Sequence, residues 1–218
     1  MSGESEMRAV LFDFDGVIIR SMEDHFEGWR KALEDYGIEM SPEELFVLEG
    51  TGVEELAGQL TRKFNLPFDE APNIIQKKRS YYEQIKKNEL YPHLFDVIEW
   101  IEEKGLKVAL VTGGNRDRVM ETLESYGMLE HFPVIVTADD VFYTKPSPEP
   151  YLKAANLLDV EPSECVVIEN APLGIRSAKN AGMACIAIST TLPPSFLKEA
   201  DVVTDNLYEV LEALKKMY

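Results

Sequence analysis

The chain has 218 residues, 45% of them hydrophobic and 28% charged, enough for one substantial core or one core with a small appended domain, and unlike a disordered or fibrous protein. Its formal net charge of -17, from 39 acidic against 22 basic residues, argues against nucleic-acid or anionic-membrane partners; an anionic substrate would need placed lysines or a bound cation. No apolar run approaches the roughly 18 residues that span a bilayer. The polar, acidic start Met1 to Glu6 is unlike a signal peptide, so a cytoplasmic protein is expected, with residues 1–6 as a disordered tail.

The run Ala9-Val10-Leu11-Phe12 is short, continuous and followed by Gly16, the signature of a strand buried on both faces of a parallel sheet. From about Ser21 to Asn88 the chain is rich in Glu, Lys, Leu and Tyr at helical spacing and has no strand-like run, which predicts a helical insert. Within it Ser41-Pro42-Glu43-Glu44 predicts a helix start closed by a capping box. The core resumes at Tyr91-Pro92, and Val97, Trp100 and Ile101 share one helical face ended by Gly105. Strand-like runs recur at Lys107 to Thr112, Val134 to Thr137, Cys165 to Ile168 and Cys185 to Ile188, and Leu207 to Tyr218 reads as a closing amphipathic helix. Alternating strands and helices predict a doubly wound α/β sheet. Cys165 and Cys185 lack metal-ligand spacing and read as buried free thiols, which fits a reducing compartment.

Loops at the carboxyl ends of parallel strands converge on one crevice, and the polar residues of this chain sit at such ends. Strand one ends in Asp13-Phe14-Asp15-Gly16-Val17, two carboxylates one residue apart, suited to split the roles of nucleophile and proton carrier. The next run ends in Thr112-Gly113-Gly114, where a hydroxyl and exposed backbone N–H groups can meet phosphate oxygens. Lys145, between Thr144 and Pro146, supplies a point charge after the third run. Glu169-Asn170 then offers two adjacent oxygen ligands for a hard cation such as magnesium.

In these four motifs the chain resembles the haloacid dehalogenase superfamily, and within it the β-phosphoglucomutase-like and CbbY-like phosphatases. The resemblance implies a Rossmann-like (HAD-like) parallel-sheet core at residues 7–20 and 90–218 with a helical cap inserted at 21–89. It implies an aspartyl-phosphate on Asp13, acid/base work by Asp15, and phosphoryl contacts from Thr112, Gly113, Gly114 and Lys145. Mg2+ would be held by Asp13, the Asp15 carbonyl, Glu169 and Asn170. His25 is expected to position Asp15, and Lys78 to meet substrate from the cap. The usual acidic pair of the fourth motif is here Glu169-Asn170, one charge fewer. Where the mutase carries an arginine for a second phosphate, this chain has Gly52-Val53.

The expected function is therefore magnesium-dependent hydrolysis of a small phosphomonoester such as a sugar phosphate. The alternatives are a phosphomutase using the same aspartyl-phosphate, disfavoured by the missing arginine, and a non-catalytic metabolite-binding protein. Asp15 speaks against a halide-releasing dehalogenase. The sequence carries no signal for oligomeric state.

Overall fold

The computed structural model describes residues 6–218; of the tail expected at 1–6, all but Glu6 lies outside the described residues. Strand β1 (Ala9–Phe12) is wholly buried, as a continuous apolar run flanked on both edges requires. The chain then makes a short strand, β2 (Ile19–Arg20), and enters four helices: α1 (Met22–Glu34), α2 (Pro42–Phe46), α3 (Val53–Lys63) and α4 (Ala71–Ile85). It returns through β3 (Glu89–Leu90), antiparallel to β2, with Ile19 opposite Leu90 and Arg20 opposite Glu89. The four helices thus hang from a two-stranded ribbon. The Ser41 capping box is formed: Glu44 N–H donates to Ser41 Oγ at 3.3 Å, and Ser41 N–H to Glu44 Oε2 at 2.9 Å.

Beyond the ribbon come α5 (Leu94–Glu103), β4 (Lys107–Val111), α6 (Arg116–Ser125), β5 (Val134–Val136), α7 (Glu149–Leu158), β6 (Cys165–Glu169), α8 (Pro172–Asn180), β7 (Ala184–Ile188), β8 (Val202–Thr204) and α9 (Leu207–Met217). The sheet order is β5-β4-β1-β6-β7-β8, with all pairings parallel. This is the expected doubly wound α/β core, one edge strand larger than the sequence reading, which had no β8. Successive β1 side chains serve opposite faces. Ala9 and Leu11 join Tyr151, Ala154, Ile175 and Ala178 of α7 and α8, whereas Val10 and Phe12 join Val97, Val119 and Leu211 of α5, α6 and α9. Cys165 and Cys185 are buried and free. Among the described residues no helix is long and apolar enough to cross a membrane.

This order puts β1 at the switch point, because chain segments leave toward β4 on one side and β6 on the other. The crevice outside its carboxyl end lies between three strand ends, and the helices of the insert cover it.

Candidate active site

At the end of β1 the two aspartates part company. Asp13 N–H still donates to Ile168 O at 2.9 Å, so its backbone continues the β6 ladder, and its carboxylate accepts from Lys145. Gly16 then takes φ +87°, a left-handed turn that frees Asp15 to face the insert; a Cβ there would lie 2.1 Å from Asn170 Nδ2.

Lys145 is 1% exposed and spends its three donors on three acceptors: Asp13 Oδ1 at 2.6 Å, Glu169 Oε1 at 2.6 Å and Val111 O at 3.0 Å. Burial opposes its charge, but Asp13 and Glu169 together hold its pKa above the ordinary lysine value. Glu169, expected among the cation ligands, has both oxygens engaged. Oε1 accepts from Lys145 and from Tyr151 Oη at 2.8 Å, and Oε2 from the N–H groups of Asn170 and Ala171 at 2.9 and 3.3 Å. It lies where a Cβ on Gly174 would sit, 1.8 Å from Oε1, so the glycine of α8 makes room for it. Glu169 thus orients Lys145.

Thr112, buried at the end of β4, accepts from Gly114 N–H at 3.0 Å through Oγ1, which leaves its hydroxyl proton for an incoming oxygen. Gly113 carries the insert on its backbone: a Cβ there would meet Gly50 O at 2.7 Å and Thr51 O at 3.0 Å. The loop before α3 therefore rests directly on the Thr112 turn, and Gly52 N–H donates to Thr144 Oγ1 at 3.4 Å beside Lys145.

Asp15 is ringed by donors. Ser21 Oγ donates to Oδ1 at 2.5 Å, Arg118 Nη1 to Oδ1 at 2.9 Å and Nη2 to Oδ2 at 2.5 Å. His25 Nδ1 takes a hydrogen from Lys78 Nζ at 2.8 Å, which assigns the ring proton to Nε2, 3.3 Å from Asp15 Oδ1. His25 stacks on Tyr82 with centroids 4.2 Å apart. Burial opposes the Asp15 charge, but Arg118 and His25 hold its carboxyl well below the usual range. Burial, then the neighbouring Lys78, lowers His25 to about 3, and burial, then Arg118, lowers Lys78 to about 7.

The sequence reading missed Arg118 and Glu49. Both line a cavity of about 330 Å³ together with Asp15, His25, Lys78 and Gly114. Glu49 is half-buried in the loop before α3. Burial and the charges of Asp15 and Asp13 push it up to about 8 from an ordinary 4.5. Between these values the folded chain keeps a proton that the unfolded chain has lost, so this stabilisation is full below pH 4.5 and is lost as pH rises through 8. Glu49→Gln cannot ionise. Its melting midpoint is expected to match the parent near pH 4.5 and to rise above it progressively toward pH 8, by roughly 2–4 °C for each kcal/mol of relieved repulsion. Melts across that range check it; a pH-independent offset would refute the assignment.

The residues also fit a cation. Asn170 Nδ2 donates to Thr191 Oγ1 at 3.1 Å, while Oδ1 is buried without a partner, an acceptor waiting for a positive group. Lys145 engages only Oδ1 of Asp13, and burial, opposed by Lys145, lifts the Asp13 carboxyl to about 8, the mark of a buried acid short of positive charge. Among the described residues no three His, Cys, Asp or Glu side chains form a ready-made cage, since Lys145 and Tyr151 hold Glu169 and Arg118 holds the Asp15 carboxylate. Asn170 Oδ1 and the Asp13 oxygen that Lys145 leaves are hard donors suited to Mg2+, beside Glu169, whose oxygens already serve Lys145, Tyr151 and two backbone amides.

The family model for haloacid dehalogenase-like hydrolases matches residues 10–188, from β1 through β7. The chain belongs to that family. It is 32% identical over 181 residues to a phosphorylated carbohydrates phosphatase of Thermotoga maritima, covering 81% of this chain and 82% of the relative. It is 29% identical to the validoxylamine A 7'-phosphate phosphatase of Streptomyces hygroscopicus subsp. limoneus, over 93% and 95% of the two chains. A solved structure from Bacteroides vulgatus, named as a candidate beta-phosphoglucomutase, superposes with a TM-score of 0.87 at 31% identity, over 99% of this chain and 90% of that one. The protein is thus a haloacid dehalogenase-like enzyme whose relatives are phosphatases and β-phosphoglucomutase-like proteins.

Proposed function

We propose that this enzyme is a magnesium-dependent phosphatase that hydrolyses a small phosphomonoester of sugar-phosphate size through an aspartyl-phosphate on Asp13, with residues 21–89 acting as its cap. The observation that carries the reading is the division of labour at one strand end. Asp13 is fixed by a core lysine, and Asp15, two residues on, is turned to the insert and its cavity. A nucleophile must be held still against phosphorus, while a proton carrier must face the leaving oxygen and then water.

In the first half-reaction an Asp13 oxygen attacks phosphorus, the bond to the ester oxygen breaks, and Asp15 gives that oxygen a proton. In the second, Asp15 takes a proton from water, the water oxygen attacks phosphorus, and the Asp13–phosphate bond breaks to release phosphate and restore both carboxyls. Lys145, its hydrogens shared with Asp13, Val111 and Glu169, attracts the phosphoryl group by its charge, and the Thr112 hydroxyl holds a phosphoryl oxygen, helped by the amides of Gly113 and Gly114. His25, its proton set by Lys78, orients Asp15. The insert resting on Gly113 excludes bulk water. Mg2+, when bound by Asp13, Asn170 and the Asp15 carbonyl, would supply the positive charge that anionic phosphate and buried carboxylates both require.

The test is phosphate release, with and without magnesium, from a panel of sugar phosphates and other monoesters. The reading fails if release is absent or indifferent to chelation. Asn170→Asp adds the missing ligand charge and is expected to tighten magnesium by roughly tenfold, read by calorimetry on the protein without substrate; unchanged affinity would remove Asn170 from the ligand set.

A phosphomutase with the same Asp13 chemistry is the second reading, and one observation favours it. Gly52-Val53 supply no arginine, but Arg118 of α6 lines the same cavity as Val53. A guanidinium is thus available there to a second anionic group, provided that it leaves Asp15. Glucose 6-phosphate formed from β-glucose 1-phosphate and its bisphosphate, without net phosphate release, would establish the mutase instead.

A further inference from the structure

Asp15 is the group through which the proposed reaction moves its protons, yet each of its oxygens, at the wall of the cavity, is already taken by a donor. Arg118 grips both, Nη1 on Oδ1 at 2.9 Å and Nη2 on Oδ2 at 2.5 Å, in a two-pronged pair. Ser21 and His25 crowd Oδ1 as well. A guanidinium has donors only, and a carboxyl that serves a leaving oxygen must turn one of its own oxygens toward that atom. While the pair lasts, that arrangement is closed off.

The surroundings hold Arg118 at the cavity rather than in the core. Its guanidinium lies 5.5 Å from the Phe14 ring centroid and 5.9 Å from that of Tyr82, and Nη1 reaches Tyr82 Oη at 3.4 Å. Gly114 is cut back to admit it: a Cβ there would stand 2.5 Å from Nη2. A buried guanidinium stripped of its partner is strongly disfavoured, so whatever frees Asp15 must bring Arg118 another anion. The reacting phosphoryl group is already matched by Lys145, Thr112 and the loop amides. The anion must therefore belong to the other end of the substrate, in the cavity that Arg118 and Lys78 line.

We propose that Arg118 is a specificity-determining latch, holding Asp15 out of use until a substrate whose leaving group carries its own carboxylate or second phosphate draws the guanidinium away. The inference rests on the phosphatase reading and narrows its substrate class. A neutral leaving group offers Arg118 nothing in exchange and leaves the latch shut.

Glycerol 1-phosphate and 3-phosphoglycerate differ only in an alcohol or a carboxylate at the far carbon, and fructose 1,6-bisphosphate adds a second phosphate. Steady-state kcat and KM for the three are to be measured with magnesium on the parent enzyme, Arg118→Gln and Arg118→Lys, with melts to confirm folding. The parent is expected to favour the anionic leaving groups by about ten- to a hundredfold in kcat/KM, the worth of a charge-assisted hydrogen-bonded pair. Arg118→Gln is expected to erase that preference from both sides, raising kcat on glycerol 1-phosphate and raising KM for 3-phosphoglycerate. Arg118→Lys keeps the charge, loses the fork and falls between them. Parent hydrolysis with no anion preference would overturn the latch, as would an Arg118→Gln loss of equal size on every ester, which marks a residue that merely steadies Asp15. Silence of the parent on every ester would overturn the phosphatase reading itself, and the latch with it.

Discussion

Replacing Lys145 by alanine is expected to lower the melting midpoint by roughly 6–20 °C and to remove turnover. The side chain is 1% exposed and its ammonium joins Asp13 and Glu169, each at 2.6 Å. Cutting it away leaves two buried carboxyls facing each other with no cation between them, and breaking such a pair costs about 3–5 kcal/mol. At roughly 2–4 °C per kcal/mol for a chain of this size, that sets the range. The loss should grow with pH, since the Asp13 carboxyl, which burial lifts to about 8, would ionise with no cation beside it. Adding Glu169→Gln to Lys145→Ala removes one of the stranded charges and is expected to recover part of the midpoint, a coupling that a simple cavity would not produce. Melts of the two variants decide it: a change of about 2 °C or less in Lys145→Ala would mean that the triad holds little of the fold.

What the sequence could disclose followed from local rules. β1 is legible because a strand sandwiched between layers must be apolar at every position, and the Ser41 box because its two bonds span three residues. Asp13, Thr112 and Glu169 announce themselves by standing at or just beyond strand ends, and Lys145 by its place beside Pro146 in the loop before α7. The rest depends on contacts that spacing does not encode. β8 is three residues at a sheet edge, and β2 and β3 are two residues each, paired across the whole insert. Arg118 is an ordinary helical arginine until its partner is known, and that partner is 103 residues away; its one local trace is the glycine at 114, which reads equally well as a phosphate-loop residue. Glu169 reads as a ligand because its motif is acidic, but Tyr151, Lys145 and the room at Gly174 determine where its oxygens go. The gap at Gly52-Val53 likewise describes one position of the cavity lining and does not disclose Arg118 elsewhere in it.

Asp13→Asn is expected to cut phosphate release by at least about 10⁴-fold while leaving the fold in place. An amide oxygen cannot form the acyl phosphate, so the step that begins the reaction is lost rather than slowed. Stability responds differently. Burial, opposed by Lys145, already lifts the Asp13 carboxyl to about 8, so a neutral group of the same shape replaces a charge that the site bears at a cost, and Lys145 keeps Glu169 and the Val111 carbonyl. The melting midpoint should stay within about 4 °C of the parent, the effect of roughly 1 kcal/mol. This separation of activity from stability is what a nucleophile predicts and a structural acid does not. Residual release above about one per cent, from a preparation that melts like the parent, would show that phosphorus is attacked by something other than Asp13. A parent that is itself silent across the panel, yet melts higher with a sugar phosphate, would make the molecule a binding protein that kept its aspartates.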